Sequence, residues 1–265
     1  MKIWITLLIA AACALPTNAS ERARIALAAG DFAEARLLGR SDGGVEGLMT
    51  ACRAGMLLGG YHETGYTAIQ SLHGAAKDCS EVLALDSHHL NARITLAIAV
   101  GFESKRWRKV TSARKSRRFL QQTLDDFPCA AAAHGALGGW HSEVSAAGLI
   151  ARIFLGAKRK SAAQYFESAL THGERSLAFY LEYIKFLARG GKSERAKAID
   201  VASKALDQQA NDAVDRLMQA KILEIHTALT AADMQELRKA LADATAFNGI
   251  EKWRDLPWLY IHLPE

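Results

Sequence analysis

The sequence predicts an all-α protein, an α-solenoid of about four to six helical hairpins with insertions. The 265 residues include only 4 prolines, and many are Ala or unbranched side chains that lose little entropy in a helix. A pattern also repeats every 34 residues, which is the length of two short antiparallel helices. Such a hairpin buries its apolar face only by stacking on copies of itself. With 50% hydrophobic and 23% charged residues, large-scale disorder is excluded.

The first residues have the layout of a secretory signal peptide. Lys2 precedes an apolar run from Ile3 to Ala12, and small residues lead up to Ala19. We expect residues 1–19 to be cleaved and residues 20–265 to form a single helical repeat domain. A lipoprotein with Cys13 as its anchor is the less favoured alternative, because the leucine usual three places upstream is missing. No later segment is apolar over the roughly 18–20 residues that a membrane span needs, so the sequence predicts an exported protein, periplasmic or secreted and not transmembrane.

Three cysteines remain after cleavage, namely Cys52, Cys79 and Cys129. An exported protein encounters conditions in which disulfides form, and an odd number permits one internal bridge at most. Each cysteine lies in an Ala-rich helical pattern, which favours the interpretation as a small buried hydrophobe. Whether any two of them pair stays open from the sequence.

Copies of the repeat are visible along the chain. The first contains the turn Gly30-Asp31 and a small residue at Ala35, where two helices must pack closely. Later copies carry the spaced sets Ala75, Cys79 and Val82; Ser116, Leu120 and Thr123; and Ala162, Phe166 and Ala169. At the 34-residue period, Tyr180, Tyr183, Ile184 and Leu187 align with Val214, Leu217, Met218 and Lys221, and Ala196 aligns with Ala162 and Thr230.

These sets resemble the tetratricopeptide repeat (TPR), whose inter-helix turn often reads Gly-Asp/Asn-aromatic-x-x-Ala. The resemblance implies a superhelix whose concave groove takes an extended peptide or a helix of a protein partner.

The register is interrupted twice. Ser87 and Pro128 are 41 residues apart, about seven more than one repeat, and residues 149–157 belong to no helix pair. We expect longer helices or loops at these insertions.

Residues 90–206 resemble a more particular group of helical proteins. Gly139-Trp140-His141, Gly156-Ala157 and Phe166 are similar to the regulator of microtubule dynamics family and to the periplasmic T-component of some TRAP transporters. The resemblance implies a helical body that binds a ligand or partner. It supplies the alternative function, a solute-binding accessory protein of a TRAP-type transporter.

The C-terminus is predicted to end in an amphipathic helix from Met234 to Phe247, followed by an aromatic tail. Residues 248–265 include Trp253, Pro257, Trp258 and Tyr260. Because a terminal repeat needs its outer apolar face covered, we expect this tail to fold back on the last helices as a cap. The alternative is a docking peptide left free for a partner.

A basic run is the strongest local signal for binding. It comprises Lys105, Arg106, Arg108, Lys109, Arg114, Lys115, Arg117 and Arg118. On a helix, Arg108, Arg114, Lys115 and Arg118 share one face, which could bind an anionic ligand, lipid head groups or an acidic protein. Arg117 falls on the apolar side, where it must find a carboxylate or point into the groove. The alternative is a solvated helix face, and export argues against nucleic acid as the partner.

The remaining candidates carry no recognisable chemistry. Trp140 and His141 are predicted to line or support the inner surface, with His141 as a structural, hydrogen-bonded histidine. The histidine spacings do not match a metal site, and no nucleophile and base occur in a known catalytic pattern. The aromatic run from Phe179 to Phe186 has the spacing of a buried helix face. The sequence therefore predicts an exported, non-catalytic binding protein without cofactor or metal, acting as a cell-envelope scaffold or adaptor.

Overall fold

The structure is a computed structural model that describes residues 19–254, 256–259 and 263. The predicted leader up to residue 18, and Tyr260 of the tail, lie outside the described residues. The part that is described forms α-helices joined by short turns and contains no strand. The helices are α1 (Ala19–Ala29), α2 (Phe32–Asp42), α3 (Val45–Leu57), α4 (Gly65–Leu85), α5 (Leu90–Trp107), α6 (Val110–Asp126), α7 (Ala131–Ala146), α8 (Leu149–Leu155), α9 (Arg159–Thr171), α10 (Leu177–Ala188), α11 (Lys192–Leu206), α12 (Ala213–Thr230) and α13 (Met234–Asp243).

Twelve of these helices pair into six hairpins. The pairs are α1–α2, α3–α4, α5–α6, α7–α9, α10–α11 and α12–α13. The first helices of the hairpins pack against one another, whereas each second helix packs on first helices. The first helices therefore form an inner layer and the second helices an outer layer. The predicted all-α solenoid of four to six hairpins is confirmed at the upper end of that range.

The inner layer closes on itself, because α1 also packs against α12. At this contact Gly30, in the turn after α1, comes so close to α12 that a Cβ on it would lie 3.0 Å from the Cβ of Ala213. Gly30 also has a φ of 98°, which favours glycine. The predicted Gly30-Asp31 turn thus serves a second purpose, since it lets the first and last hairpins meet.

Alanines and glycines let helices pack closely around aromatic rings in the middle of the chain. Ala162, Phe166 and Ala169 of α9 are fully buried. A Cβ at Gly138 of α7 would lie 2.9 Å from the Phe166 ring, and one at Gly135 would lie 3.0 Å from the Phe179 ring. These two glycines therefore let α7 approach α9 and α10 closely, and the aromatic run of α10 is buried as predicted.

The predicted register of α11 is wrong by two residues. Ala196 is exposed, whereas Ala198, Ala202 and Ala205 are fully buried. These three alanines repeat Ala162, Phe166 and Ala169 at a spacing of 36 residues. Thr230 ends an inner helix, so it is no counterpart of a residue in the outer helix α11. Ala196 and Ala198 offer the same small side chain, and the 34-residue period selected the wrong one.

The two insertions take different forms. The first is absorbed by two long helices, α5 with 18 residues and α6 with 17. The second contains the short helix α8, which stands outside the hairpins and contacts α7 and α6. No residue of α8 is buried.

A disulfide joins Cys52 of α3 to Cys79 of α4. It crosslinks the two helices of the second hairpin. Cys129 lies exposed in the turn between α6 and α7. The predicted burial is confirmed for Cys52 and Cys79 and is wrong for Cys129, and the pairing that the sequence left open is between Cys52 and Cys79.

The last helix and the tail also differ from expectation. α13 ends at Asp243, and Phe247 lies in the following turn with a positive φ of 51°. The described residues of 245–259 then run across the inner layer to the end of α5, instead of covering the last helices. We call residues 245–254 and 256–259 the C-terminal segment.

Candidate functional site: the inner face of the superhelix

The inner face is occupied by the C-terminal segment. The main-chain N–H of Phe247 donates to the carbonyl of Gly60, at 3.0 Å, in the π-helical turn that follows α3. The Phe247 ring packs against Phe102 of α5, with ring centroids 4.8 Å apart. Gly59 leaves room for that ring, since a Cβ there would lie 2.7 Å from it. Phe247 and Ile250 are buried, so this segment completes the core of the inner layer.

Beyond Ile250 the segment is held by an arginine at the end of α5. Arg106 is completely buried, and its guanidinium donates to three main-chain carbonyls. The distances are 3.3 Å to Trp253, 2.8 Å to Leu256 and 3.0 Å to Pro257. None of these bonds depends on a side chain of the tail. The contact therefore recognises main-chain carbonyls, and because one nitrogen of Arg106 bonds to both Trp253 and Leu256, the segment bends around the guanidinium.

Glu103, one turn before Arg106, completes the same site. It accepts from Arg106 at 2.8 and 2.6 Å and from the main-chain N–H of Leu259 at 3.0 Å. His73 Nε2 of α4 lies 3.3 Å from the same carboxylate. Burial alone would raise the pKa of Glu103, but hydrogen bonds from His73, Arg106 and Leu259 outweigh it and lower the pKa to about 2. Glu103 is thus a buried carboxylate that accepts a hydrogen bond from a main-chain N–H of the tail, whereas Arg106 donates hydrogen bonds to main-chain carbonyls of the tail.

A second polar cluster lies on the inner face between α7 and α10. Lys185, which is buried, lies 3.4 Å from Glu143 and 2.7 Å from Glu182, and Arg189 lies 2.7 Å from Glu143. Burial would raise the pKa of Glu143, but the charges of Lys185 and Arg189 lower it to about 2. Arg189 also approaches the hydroxyl of Thr245 at 3.4 Å. A polar contact therefore also holds the start of the C-terminal segment.

The sequence patterns did not single out Glu103, which accepts from the Leu259 N–H, or the cluster of Glu143, Lys185 and Arg189, of which Arg189 contacts Thr245. Glu103, Glu143 and Lys185 each stand within apolar inner helices. An ionisable residue in such a run must find a partner when it is buried, and this signal was available in the sequence. Arg106 belongs to the predicted basic run but not to its shared face, and the structure buries it against the C-terminal segment. Lys109 of the same run also contacts this segment, with its Nζ 3.9 Å from the centroid of the Trp258 ring.

Trp140 and His141 lie away from the inner face. The His141 ring stacks on Tyr165 of α9, with centroids 5.7 Å apart, and its Nδ1 accepts from the Lys158 main-chain N–H at 3.3 Å. Burial, with the charges of Arg117 and Lys158, lowers the pKa of His141 to about 4. The predicted structural, hydrogen-bonded histidine is confirmed. The predicted inner-surface location is wrong, because this side of α7 faces α9.

Arg117 was predicted to contact a carboxylate or to point into the groove, and it does neither. Its guanidinium donates to the carbonyl of Leu155 at 2.8 Å and lies over the Trp140 ring, 5.2 Å from its centroid. Arg114 donates to the carbonyl of Phe154 at 3.1 Å. Lys115 and Arg118 are exposed on α6, while Arg108 is exposed in the turn after α5. The basic run is thus divided among the inner face, the support of α8 and the outer surface.

A small-molecule site and a metal site receive less support from the structure than the inner face does. A surface cleft of about 300 Å³ between α6 and α9 is lined by Arg118, Gln121, Gln122, Leu124, Asp125 and Tyr165. It is not the enclosed, convergent cavity that a solute-binding protein would need. In the part of the chain that is described, no group of His, Cys, Asp or Glu is placed to hold a metal ion. No described helix is long and apolar enough to cross a membrane.

One solved structure is informative. A thermophilic TPR protein from Thermus thermophilus has a TM-score of 0.56 to this chain and 18% sequence identity, and the alignment covers 78% of this chain and 97% of that chain. The fold is a TPR-like α-solenoid. At this identity the likeness shows the fold alone. No protein-family model and no curated protein matches the chain, so the resemblance to the regulator of microtubule dynamics family and to the TRAP T-component stays a prediction.

Proposed function

We propose that this chain is an exported, non-catalytic TPR-like protein whose inner face binds an extended segment of a protein or peptide partner, as a scaffold or adaptor in the cell envelope. The observation that carries the proposal is the pairing of Arg106 and Glu103 with main-chain groups of the C-terminal segment. The tail supports a ligand of this kind, because it is held through its own main-chain groups. A partner segment would use the same donors and acceptor in its place.

The TPR-like fold supports binding as the function, since such solenoids present their inner helices to peptides. Export is supported by the disulfide between Cys52 and Cys79, because disulfides persist in oxidising compartments and are rare in the cytosol. The cleft between α6 and α9 lacks the enclosure of a solute site, so it does not support the alternative, a solute-binding accessory of a TRAP-type transporter.

The experiment uses a chain that ends at Lys252, which retains the buried Phe247 and Ile250 and lacks the part held by Arg106. A synthetic peptide of residues 253–265 is titrated into this protein by calorimetry. We expect saturable binding at one site per chain. We also expect binding to weaken at least about tenfold with Arg106→Met, since each lost hydrogen bond to a charged group contributes about 1.5–3 kcal/mol.

The control is Arg108→Met, two residues away and exposed, which should leave the affinity unchanged. Circular dichroism checks that each variant is folded. Absence of binding by the folded, truncated chain, or equal binding by the Arg106 and Arg108 variants, would refute the proposal.

A further inference from the structure

The outer surface carries a second feature that the inner-face function does not use. Four of the eleven large hydrophobic side chains exposed in the described part of the chain lie on α8. They are Leu149, Ile150, Ile153 and Phe154, with exposures of 61%, 74%, 66% and 58%. At 100° per residue they fall within an arc of about 140° on one side of the helix. The other seven are scattered, and scattered apolar residues need no explanation, whereas this cluster does.

α8 is held in place through its backbone. Arg114 and Arg117 of α6 donate to the carbonyls of Phe154 and Leu155, the last two residues of α8. Cations at a helix C-terminus satisfy carbonyls that have no partner within the helix. Because α6 grips the main chain, the apolar side chains are left facing outward. The cluster is therefore fixed in an exposed position by specific contacts.

Positive charge surrounds this apolar cluster. Residues 104–124, which include α6 as far as Leu124, contain eight Lys or Arg and no acidic residue, and α6 then ends with Asp125 and Asp126. Residues 144–166, which include α8, contain four Lys or Arg and no acidic residue. The packing of α8 on α6 brings the two segments together. Lys115, Arg118, Arg152, Lys158 and Lys160 are exposed there. An exposed apolar helix face with a cationic border is the pattern of an interfacial segment that enters the head-group region of an anionic bilayer.

We propose that α8 and the basic residues around it form a docking surface for the surface of an anionic phospholipid bilayer. The apolar side chains of α8 enter the boundary between head groups and acyl chains, while the lysines and arginines contact lipid phosphates. A protein groove would have to be concave to receive α8, and it would have to be acidic as well. An anionic bilayer needs no preformed groove, because its head-group region deforms around an inserted helix, and it supplies the negative charge. The surface involves α6, α8 and α9, so it is independent of the inner face.

Co-sedimentation with vesicles tests this surface on the full exported chain. We expect binding to phosphatidylcholine vesicles that contain phosphatidylglycerol and little binding to phosphatidylcholine alone. Ile150→Ser/Ile153→Ser/Phe154→Ser should lower the bound fraction on the order of tenfold, since three apolar side chains lose their insertion. The matched control is Leu37→Ser/Leu85→Ser/Leu223→Ser, which removes equally exposed side chains elsewhere and should bind like the parent.

The charged border is tested separately with Lys115→Gln/Arg118→Gln/Lys158→Gln/Lys160→Gln. This variant should also bind on the order of tenfold less, and the binding of the parent should fall as salt is raised, because salt screens the attraction to lipid phosphates. Absence of binding to the anionic vesicles, or equal binding to both kinds of vesicle, would overturn the proposal. So would equal loss in the α8 variant and its matched control.

A fluorescent probe distinguishes insertion from contact with protein. In a Cys129→Ser background, an environment-sensitive fluorophore is attached through Ile153→Cys, or through Leu37→Cys as the control. We expect a blue shift with anionic vesicles for the first site alone. A blue shift at Ile153→Cys without vesicles that grows with protein concentration, together with a dimer in size-exclusion chromatography, would show that α8 covers a second copy and would overturn the proposal.

Discussion

Arg106 Nη1 lies 2.8 Å from the carbonyl oxygen of Leu256, 150 residues later in the chain. This bond joins the end of the third inner helix to the tail that follows the last helix. The buried Glu103 supports it from one turn earlier. The contact fixes the C-terminal segment against the inner face. It also buries two charges, and the effect of removing them on the free energy of unfolding can be measured.

Replacing Arg106 with methionine should destabilise the protein by about 3–5 kcal/mol, because it leaves the carboxylate of Glu103 buried with fewer partners. The double variant Glu103→Met/Arg106→Met should be destabilised less than the single variant, since it removes both charges. Urea denaturation measures both. Equal stability of the parent and the Arg106 variant would mean that the pair is solvated.

The register of α11 gives a second prediction. Ala198→Leu should cost about 1–3 kcal/mol, because Ala198 is fully buried against neighbouring helices and a larger side chain overpacks the site. Ala196→Leu, on the exposed side, should change stability by less than about 0.5 kcal/mol. The denaturation midpoints decide between the two alanines. A larger loss for Ala196 would restore the 34-residue register.

The disulfide should contribute measurably to stability. The double variant Cys52→Ser/Cys79→Ser opens a loop with a sequence separation of 27 residues, and loop-closure entropy predicts a loss of about 3 kcal/mol. Cys129→Ser is the control and should be neutral, because Cys129 is exposed. Thermal unfolding of the oxidised parent and the two variants provides the measurement. A double variant as stable as the parent would show that the crosslink adds nothing.

His141 should make stability depend on pH. Its pKa is lowered in the fold to about 4 from an ordinary value of 6.5, so the unfolded chain binds a proton more readily between these values. Stability should therefore fall as the pH drops from about 6.5 to about 4, by at most about 3 kcal/mol at 1.36 kcal/mol per pKa unit. The stability difference between the parent and His141→Gln, measured across that range, isolates this contribution. A pH-independent difference would contradict it.

Glu103 and Glu143 act at lower pH. Their pKa values in the fold are lowered to about 2 from an ordinary 4.5. The stability that they contribute is present above about pH 4.5 and is lost as the pH falls towards 2. The Glu103→Met/Arg106→Met variant should lose less stability than the parent over that interval. Identical acid unfolding curves for the two proteins would show that the buried pair does not titrate there.

The periodicity of the sequence was sufficient for the hairpins, because each inner helix must bury an apolar face and some of the turns, such as those at Gly30 and Pro128, show in the Gly and Pro positions. The periodicity did not identify the buried alanine of α11. Ala196 and Ala198 have identical side chains, and they differ only in whether they face a neighbouring helix. The path of the tail could not be predicted either. It depends on Arg106, which lies in a run dominated by exposed cations and becomes distinguishable from them only when α5 is packed.

The central claim is that the inner face binds main-chain groups of a peptide segment through Arg106 and Glu103. It is tested most directly by titrating the chain that ends at Lys252 with two peptides of residues 253–265, one unmodified and one methylated on the main-chain nitrogen of Leu259. Methylation removes the N–H that donates to Glu103 at 3.0 Å and keeps every side chain. We predict an affinity lower by about tenfold or more for the methylated peptide, whereas equal affinities would contradict the account.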